Sequence, residues 1–232
     1  HLTTLHKSNT FTCALKSGSI QVLRYLREEG WCEMNPPYWR FYNHAILYID
    51  DDEKALAAVT WLHEECQLDI QSLWIQHIAG SGHHQVLSYA RQHGSPWDGD
   101  PIHCAVKQES RSETKSEKRV AVIEYCLQDI ECPRPNITCS FVLEKFEDNE
   151  RAFEMLQLLR RYDIDWGEDT CIKAIRKRNV DALKWAKRNG CPWSQNTFVW
   201  IVRHGDIELL QWALDNDCPL LLSEETFSAA LS

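Results

Sequence analysis

The chain has 232 residues, of which 44% are hydrophobic, and a formal net charge of −9. This is enough apolar material for a sizeable core, while the acidic balance disfavours a general nucleic-acid-binding protein, whose affinity would come from clustered Lys and Arg. The mean hydropathy is −0.44, and no apolar run approaches the roughly 18 residues of a membrane span, so membrane insertion is not expected.

The first unit of the chain covers residues 10–30. Its pattern predicts a short first helix from Thr10, a break at Gly18 and a second helix that contains Tyr25. A linker at 33–39 follows, and a degraded second unit then places a first helix at about 39–49 and a second helix around 56–63, where Trp61 takes the place of Tyr25.

The run Asp50-Asp51-Asp52-Glu53 interrupts the second unit. A calcium-binding loop is one interpretation of these acids. The run lacks the spaced oxygen ligands and the turn glycine of such a loop, so a solvated loop or helix cap is favoured.

The third unit, about 70–98, contains Gly82-His83-His84 before its second helix and Trp97 after it. The histidine pair suggests a metal site, but adjacent residues on a helix point about 100° apart and rarely share a ligand. The pair is therefore interpreted as a turn and a helix start.

The fourth unit contains an insertion at 107–119 that has no aromatic or aliphatic residue. It is predicted to be a mobile loop between two helices, with the second helix resuming at Val120. A docking loop is the functional alternative, because long loops are often functional.

The fifth unit runs from Asn136 to Trp166. Asn136-Ile137-Thr138 matches a glycosylation acceptor. Its place at the start of a first helix favours a structural interpretation, because polar residues are expected there and no secretory signal is visible.

The clearest pattern is a 27-residue repeat in the last part of the chain, which places Trp185 and Cys191 in register with Trp212 and Cys218. Each copy predicts two helices, at about 170–178 with Thr170 as N-cap and at about 180–189 in the first of them. Glycine at 190 and proline at 192 predict a left-handed C-cap and the end of the helix.

These motifs resemble ankyrin repeats. The stretch Asp98-Gly-Asp-Pro-Ile-His-Cys-Ala105 is similar to the opening of an ankyrin repeat, and the segments that begin at Gly18, Gly82 and Gly205 are similar to its second helix. The short period and the Gly-Cys-Pro-Trp turn resemble the type found in large families of protists, algae and giant viruses.

The resemblance implies an all-α fold, an α-solenoid of stacked antiparallel helix pairs with little or no sheet. It extends over about seven copies and the start of an eighth near Thr226, within a single domain at 1–232 that is expected to be part of a longer protein. One helix pair cannot bury its own apolar faces, so the copies must stack.

Two sets of tryptophans have different expected roles. Trp97, Trp166 and Trp193 recur at the turn after a second helix, where packing between layers is favoured over anchoring of a partner. The other set, predicted to lie in the core, comprises Trp61, Trp185 and Trp212.

The 10 cysteines follow the repeat. Helices in adjacent layers lie about 8–10 Å apart, too far for Cys191 and Cys218 to form a disulfide without movement. Reduced thiols in a cytoplasmic or other reducing compartment are therefore expected, with organelle targeting left open.

The chain shows no catalytic constellation. It has no glycine-rich phosphate loop, no nucleophile with a positioned base and no CxxC pair for zinc. We expect no enzymatic activity, cofactor, metal or small-molecule substrate.

One basic cluster stands out from the acidic background. The sixth copy carries seven positive charges against one internal acid, Asp181. A solvated face is the simplest interpretation, and docking of an acidic protein partner is the alternative. The candidate partner-binding residues on the first helices are Lys173, Arg176, Lys177 and Arg203.

Two functions therefore remain open. One is a non-catalytic interaction module or scaffold that binds a protein partner. The other is a structural linker or stabilising subunit permanently built into a large multi-protein assembly. An ankyrin-like stack presents its first helices on a concave side that partners usually contact, so the resemblance implies a contact surface there.

Overall fold

The computed structural model describes residues 4–31, 45–107, 113–134 and 137–220. These residues form 13 α-helices and one short 3-10 helix, with no β-strand among them, so the predicted all-α class is confirmed. No helix in the described ranges combines the length and hydrophobicity that crossing a bilayer requires.

The chain divides into two compact units, residues 1–135 and 136–232. The helices of the first unit are α1 (Thr4–Ser17), α2 (Ile20–Glu28), α3 (Asp52–Glu64), α4 (Ile75–Ser81), α5 (His84–Gln92), α6 (Pro101–Lys107) and α7 (Glu113–Gln128), with a 3-10 turn at Ile70–Ser72. Those of the second unit are α8 (Cys139–Lys145), α9 (Asn149–Arg161), α10 (Thr170–Arg176), α11 (Val180–Arg188), α12 (Thr197–His204) and α13 (Ile207–Asp215).

Within each unit, the helix contacts follow the order of the sequence. In the first unit α4 packs against α6, and α2, α3, α5 and α7 pack against one another in succession. In the second unit α8, α10 and α12 pack in succession, and α9 packs against α11. First helices thus contact first helices, and second helices contact second helices.

The second helices supply much of the core. In α11, Ala182, Leu183 and Ala186 are fully buried, and their spacing places them on one side of the helix. The buried residues that correspond to them include Leu87 and Ala90 in α5, and Leu209 and Ala213 in α13.

Polar caps start these second helices. Asn179 accepts a hydrogen bond from the Ala182 N–H at 3.0 Å, and Asp206 accepts one from the Leu209 N–H at 3.0 Å. The acidic run at 50–53 has the same role, because Asp51 accepts a hydrogen bond from the Lys54 N–H. The predicted helix cap at 50–53 is confirmed.

The His83-His84 pair is the predicted helix start. His83 precedes the first residue of α5 and is 3% exposed, and its Nδ1 lies 3.2 Å from Asp52 Oδ1. Asp52 Oδ2 also accepts a hydrogen bond from the Gln85 N–H. Asp52, the first residue of α3, therefore fixes the start of α5.

The sequence predicted Thr170 as the N-cap of α10, and this prediction is wrong. Asp169 occupies that position, and the buried Thr170 hydroxyl instead donates toward the Trp166 and Gly167 carbonyls. The predicted left-handed residue at Gly190 is confirmed, with φ at +84°. Arg178, between α10 and α11, also has positive φ, at +56°.

Part of the predicted loop at 107–119 is helical. Residues 113–119 belong to α7, because their Glu, Lys and Arg side chains favour a helix even without an apolar stripe. The first helix of the chain also begins at Thr4 rather than near residue 10. Predictions for the linker at 33–39, most of the helix at 39–49, Asn136 and the copy near Thr226 lie outside the described residues.

The turn tryptophans pack against the following copy. Trp166 contacts Trp185 at a ring-centre distance of 5.9 Å, and Trp193 contacts Trp212 at 6.0 Å, both edge to face. Trp97 lies 6.5 Å from Tyr125 and donates a hydrogen bond to Asp129. The predicted packing between copies is therefore confirmed.

Each turn tryptophan also stacks under a cation six residues earlier in the chain. The cation lies 4.3–4.6 Å from the ring centre and also donates a hydrogen bond to a backbone carbonyl four residues after it. We call this seven-residue arrangement the tryptophan clasp, and it occurs at Arg91–Trp97, Arg160–Trp166 and Lys187–Trp193.

The helix tryptophans are not equally buried. Trp61 is 4% exposed and lies in the core as predicted. Trp185 and Trp212 are only half-buried, because their rings lie against the turn tryptophans rather than beneath the helices.

Candidate functional site

The candidate residues lie on α10 and α12, whose neighbour is α8. A threonine stands at the start of each first helix: Thr138 before α8, Thr170 in α10 and Thr197 in α12. With these threonines in register, the third residue after each is Phe141, Lys173 or Trp200, and the sixth is Glu144, Arg176 or Arg203.

The sixth residue of one helix contacts the third residue of the next. Glu144 Oε2 accepts a hydrogen bond from Lys173 Nζ at 2.7 Å. One layer on, the Arg176 guanidinium lies 5.2 Å from the centre of the Trp200 ring. The same register therefore holds an ion pair in one layer and a cation–π contact in the next.

Lys173 is engaged within the protein. Its side chain is 16% exposed, and besides Glu144 it lies 3.7 Å from Asp169. Hydrogen bonds from Lys173 and Lys145 lower the pKa of Glu144 to about 2. The expectation that Lys173 is available to a partner is not supported by this geometry, because its charge is already balanced by two carboxylates.

Arg176 and Arg203 share one aromatic ring. The Arg203 guanidinium lies 5.3 Å from the centre of the Trp200 ring, close to the corresponding distance for Arg176. Both arginines are exposed, and Trp200 is half-buried. Within the described part of the chain, neither arginine forms an ion pair with an acidic side chain.

Lys177 has a different role from Arg176 and Arg203. It is the half-buried residue that directly follows α10 as its C-cap, and its carbonyl accepts a hydrogen bond from Asn149 Nδ2 at 3.1 Å. Of the four predicted residues, the structure brings Arg176 and Arg203 together, and it places Lys173 in an ion pair and Lys177 at a helix end.

Sequence reasoning missed Trp200 and Glu144. Trp200 could have been found, because Arg203 follows it by three residues and side chains at that spacing share a helix face. Glu144 was harder to find, because the copy that contains it does not keep the 27-residue spacing.

Buried cysteines form a second cluster in the same unit. Cys171 Sγ lies 3.6 Å from Cys191 Sγ, and both residues are 1% exposed. A hydrogen bond from the Cys171 thiol, with Lys187 nearby, lowers the pKa of Cys191, while burial raises the pKa of Cys218 to about 11. All nine cysteines of the described residues are free.

The first unit has an open cleft of about 410 Å³ between α2 and α3. Ile20, Leu56 and Ala57 contribute its apolar lining. Arg24 and Glu65 form an ion pair at 2.5 Å across it, and Glu65 also accepts a hydrogen bond from Trp61 Nε1. These polar groups are paired with one another, so the cleft does not present a set of groups converging on a ligand.

The His83–Asp52 pair is a further polar feature of the first compact unit. The buried Nε2 of His83 has no hydrogen-bond partner among the residues the structure describes, so the His83–Asp52 pair is not linked to a nucleophile. Over 4–31, 45–107, 113–134 and 137–220, no three His, Cys, Asp or Glu side chains are grouped to hold a metal ion.

No protein-family model matches the sequence, and neither the curated proteins nor the solved structures give a significant match.

Proposed function

We propose that this chain is a non-catalytic protein-interaction module, an α-solenoid of ankyrin-like helix pairs that binds a protein partner on its first helices. Two observations support the architecture. Helices of each unit contact the matching helices of neighbouring copies, and the clasp recurs at the turns. Stacks of this kind bury a continuous core while leaving one long side of the first helices exposed.

The observation that carries the functional proposal is the exposed pair Arg176 and Arg203 on Trp200. Tryptophan and arginine are the residues most enriched at the energetic centres of protein interfaces. Here they lie on two adjacent first helices, where α10 packs directly against α12. A rigid pair of packed helices loses little entropy when it binds.

Photo-crosslinking tests which helices face a partner. A photoreactive residue is placed at Val199 of α12, beside Trp200, and in a second variant at the exposed Arg188 of α11. We expect a protein from an extract of the source organism to crosslink at position 199 and not at position 188. That protein is then made in pure form, and its reversible binding to the chain is measured. Crosslinking only at position 188 would contradict the proposed face.

A permanent structural subunit is the second candidate function. Exposed apolar side chains in the second unit favour it: Ile207 is 81% exposed, Leu220 57% and Leu214 39%, and obligate interfaces are more hydrophobic than transient ones. Gentle purification from the source followed by size measurement separates the two functions. Recovery as a free monomer would contradict the structural subunit, and recovery only in a large complex would contradict the reversible module.

We also propose a reducing intracellular compartment and no nucleic-acid partner. The free cysteines of the described residues, most of them buried, support the first proposal. The net charge of −9 supports the second. Fluorescence microscopy of the tagged full protein tests the compartment.

A further inference from the structure

We infer that the partner is an acidic peptide segment whose carboxylates bind Arg176 and Arg203, with Trp200 holding the two guanidinium groups in place. This inference rests on the proposed function, since it names the chemistry of the partner at the same surface. The two arginines, Trp200 and their environment carry the argument.

The first step is the distribution of cations. Lys173 is paired with Glu144, Lys187 is held in a clasp over Trp193, and Lys184 lies 5.8 Å from the Trp212 ring centre. Arg176 and Arg203 are the pair of exposed guanidinium groups that share a single ring. These two arginines, on the packed helices α10 and α12, therefore combine exposed positive charge with a shared aromatic ring.

The second step is preorganisation. An arginine that stacks on a ring keeps its N–H donors at the edge of its plane, where they can bind a carboxylate in a bidentate manner. The contacts at 5.2 and 5.3 Å restrict both side chains before a partner arrives. Because less rotamer freedom is then lost on binding, the same two hydrogen bonds give a higher affinity.

The third step is an internal example of the interaction. In the preceding layer, the same register brings a carboxylate, Glu144, onto a cation, Lys173. The next layer has an arginine where Glu144 would stand and a tryptophan where Lys173 would stand, so none of the described residues supplies a carboxylate there. A partner carboxylate supplies the missing charge.

Two properties favour a peptide over a nucleic acid. The chain carries a net charge of −9, which opposes long polyanions that extend beyond the local cluster. A short acidic segment places its negative charge only where the arginines are. In an extended peptide, alternate side chains lie on one side about 7 Å apart, a spacing suited to two neighbouring cations.

The test uses a fluorescein-labelled peptide in which glutamate alternates with serine, and a matched peptide with glutamine in place of glutamate. Fluorescence anisotropy measures their binding to the 232-residue chain. We expect binding of the glutamate peptide alone, weakened by added salt because exposed charges are screened. Absence of binding by the folded chain would overturn the inference.

Matched variants locate the site. The double reversal Arg176→Glu/Arg203→Glu is expected to weaken binding by about tenfold or more, which corresponds to the loss of two charge-assisted contacts. The control Arg161→Glu/Arg188→Glu makes the same change in net charge at two exposed arginines of second helices. An equal loss in the control would show that only the overall charge matters and would overturn the inference.

Two further measurements keep the result interpretable. If circular dichroism shows that the double reversal is unfolded, Arg176→Gln/Arg203→Gln replaces it. Labelled oligothymidine tests the other class of polyanion, and tighter binding of oligothymidine than of the glutamate peptide would overturn the acidic-peptide partner. If the peptide fails while crosslinking at position 199 succeeds, the proposed module stands and only its partner chemistry is wrong.

Discussion

Glu144 accepts a hydrogen bond from Lys173 at 2.7 Å, across a sequence separation of 29 residues. This contact joins the first helices α8 and α10. Because of this contact, charge reversals at Lys173 and at Arg176 are expected to differ in their effect on stability. Reversing the charge at Lys173 is expected to lower the stability, whereas reversing it at the exposed Arg176 should have a smaller effect.

Lys173→Glu is expected to lower the free energy of unfolding by about 1 kcal/mol, because it replaces an attraction with a repulsion at a partly exposed pair. Arg176→Glu is the comparison, and it should cost only about 0.5 kcal/mol, because it removes an exposed cation–π contact rather than an ion pair. Urea denaturation measures both. The double reversal Glu144→Lys/Lys173→Glu should recover part of the loss, and equal values for the two single variants would contradict the pairing.

The same pair gives a pH dependence. The pKa of Glu144 is lowered to about 2 in the folded protein, while an unperturbed glutamate titrates at about 4.3. The stabilisation is therefore fully present above the unfolded pKa and is lost as the pH falls toward the folded pKa. Comparing the chain with Lys173→Met, we expect a stability difference at pH 6 that shrinks between about pH 4 and pH 2. A constant difference over that window would contradict it.

Trp185→Ala should cost about 2 kcal/mol, which is less than the 3–5 kcal/mol typical of a fully buried aromatic residue. The ring is half-buried and makes edge-to-face contacts with Phe153 at 5.8 Å and Trp166 at 5.9 Å. Leu183→Ala in the same helix removes a fully buried side chain and should cost about 2–5 kcal/mol. Chemical denaturation of both variants should show Leu183 as the more costly loss.

Thr170→Val should cost about 1 kcal/mol, because the half-buried Trp166 and Gly167 carbonyls lose the hydroxyl that donates to them. Thr170→Ser keeps the hydroxyl and should cost less. The midpoint of thermal unfolding compares the two. A valine variant as stable as the serine variant would show that the hydroxyl has no role there.

Arg178→Gly should raise the free energy of unfolding by about 0.5–1 kcal/mol. Arg178 has φ at +56°, a conformation that is costly for residues with a Cβ and open to glycine. Gly18, Gly82 and Gly205 take similar values at the corresponding turn of other copies. The control Arg178→Ala keeps the strain and should bring no gain, so a gain in both variants would point to the side chain instead.

The sequence predicted the helix pairs best where the repeat is regular. The bounds of α10 and α11 agree closely with expectation, because apolar spacing, glycine and proline all indicate similar helix ends. The start of α7 at Glu113 was missed because a helix can extend into charged residues without an apolar signal. The Thr170 error has a related cause, since a hydroxyl can bond backward as well as forward along the chain.

The candidate site was predictable only in part. A count of positive charges identified Arg176 and Arg203, but it treated all four candidates alike. What separates them is the neighbour across the helix pair, a carboxylate for Lys173 and a ring for Arg176. That neighbour depends on the register between copies, which the irregular spacing around Glu144 hides in the sequence.

The tryptophan clasp has a consequence for the order of folding. Its cation, carbonyl and ring lie within seven residues, as in Lys187–Trp193, so closing the loop costs little chain entropy. Such contacts can form in the transition state before distant helices meet, and chains rich in local contacts fold fast. In stopped-flow refolding, Lys187→Met should therefore slow folding more than it speeds unfolding. Each clasp would thus act as a local nucleus from which its own copy of the repeat grows.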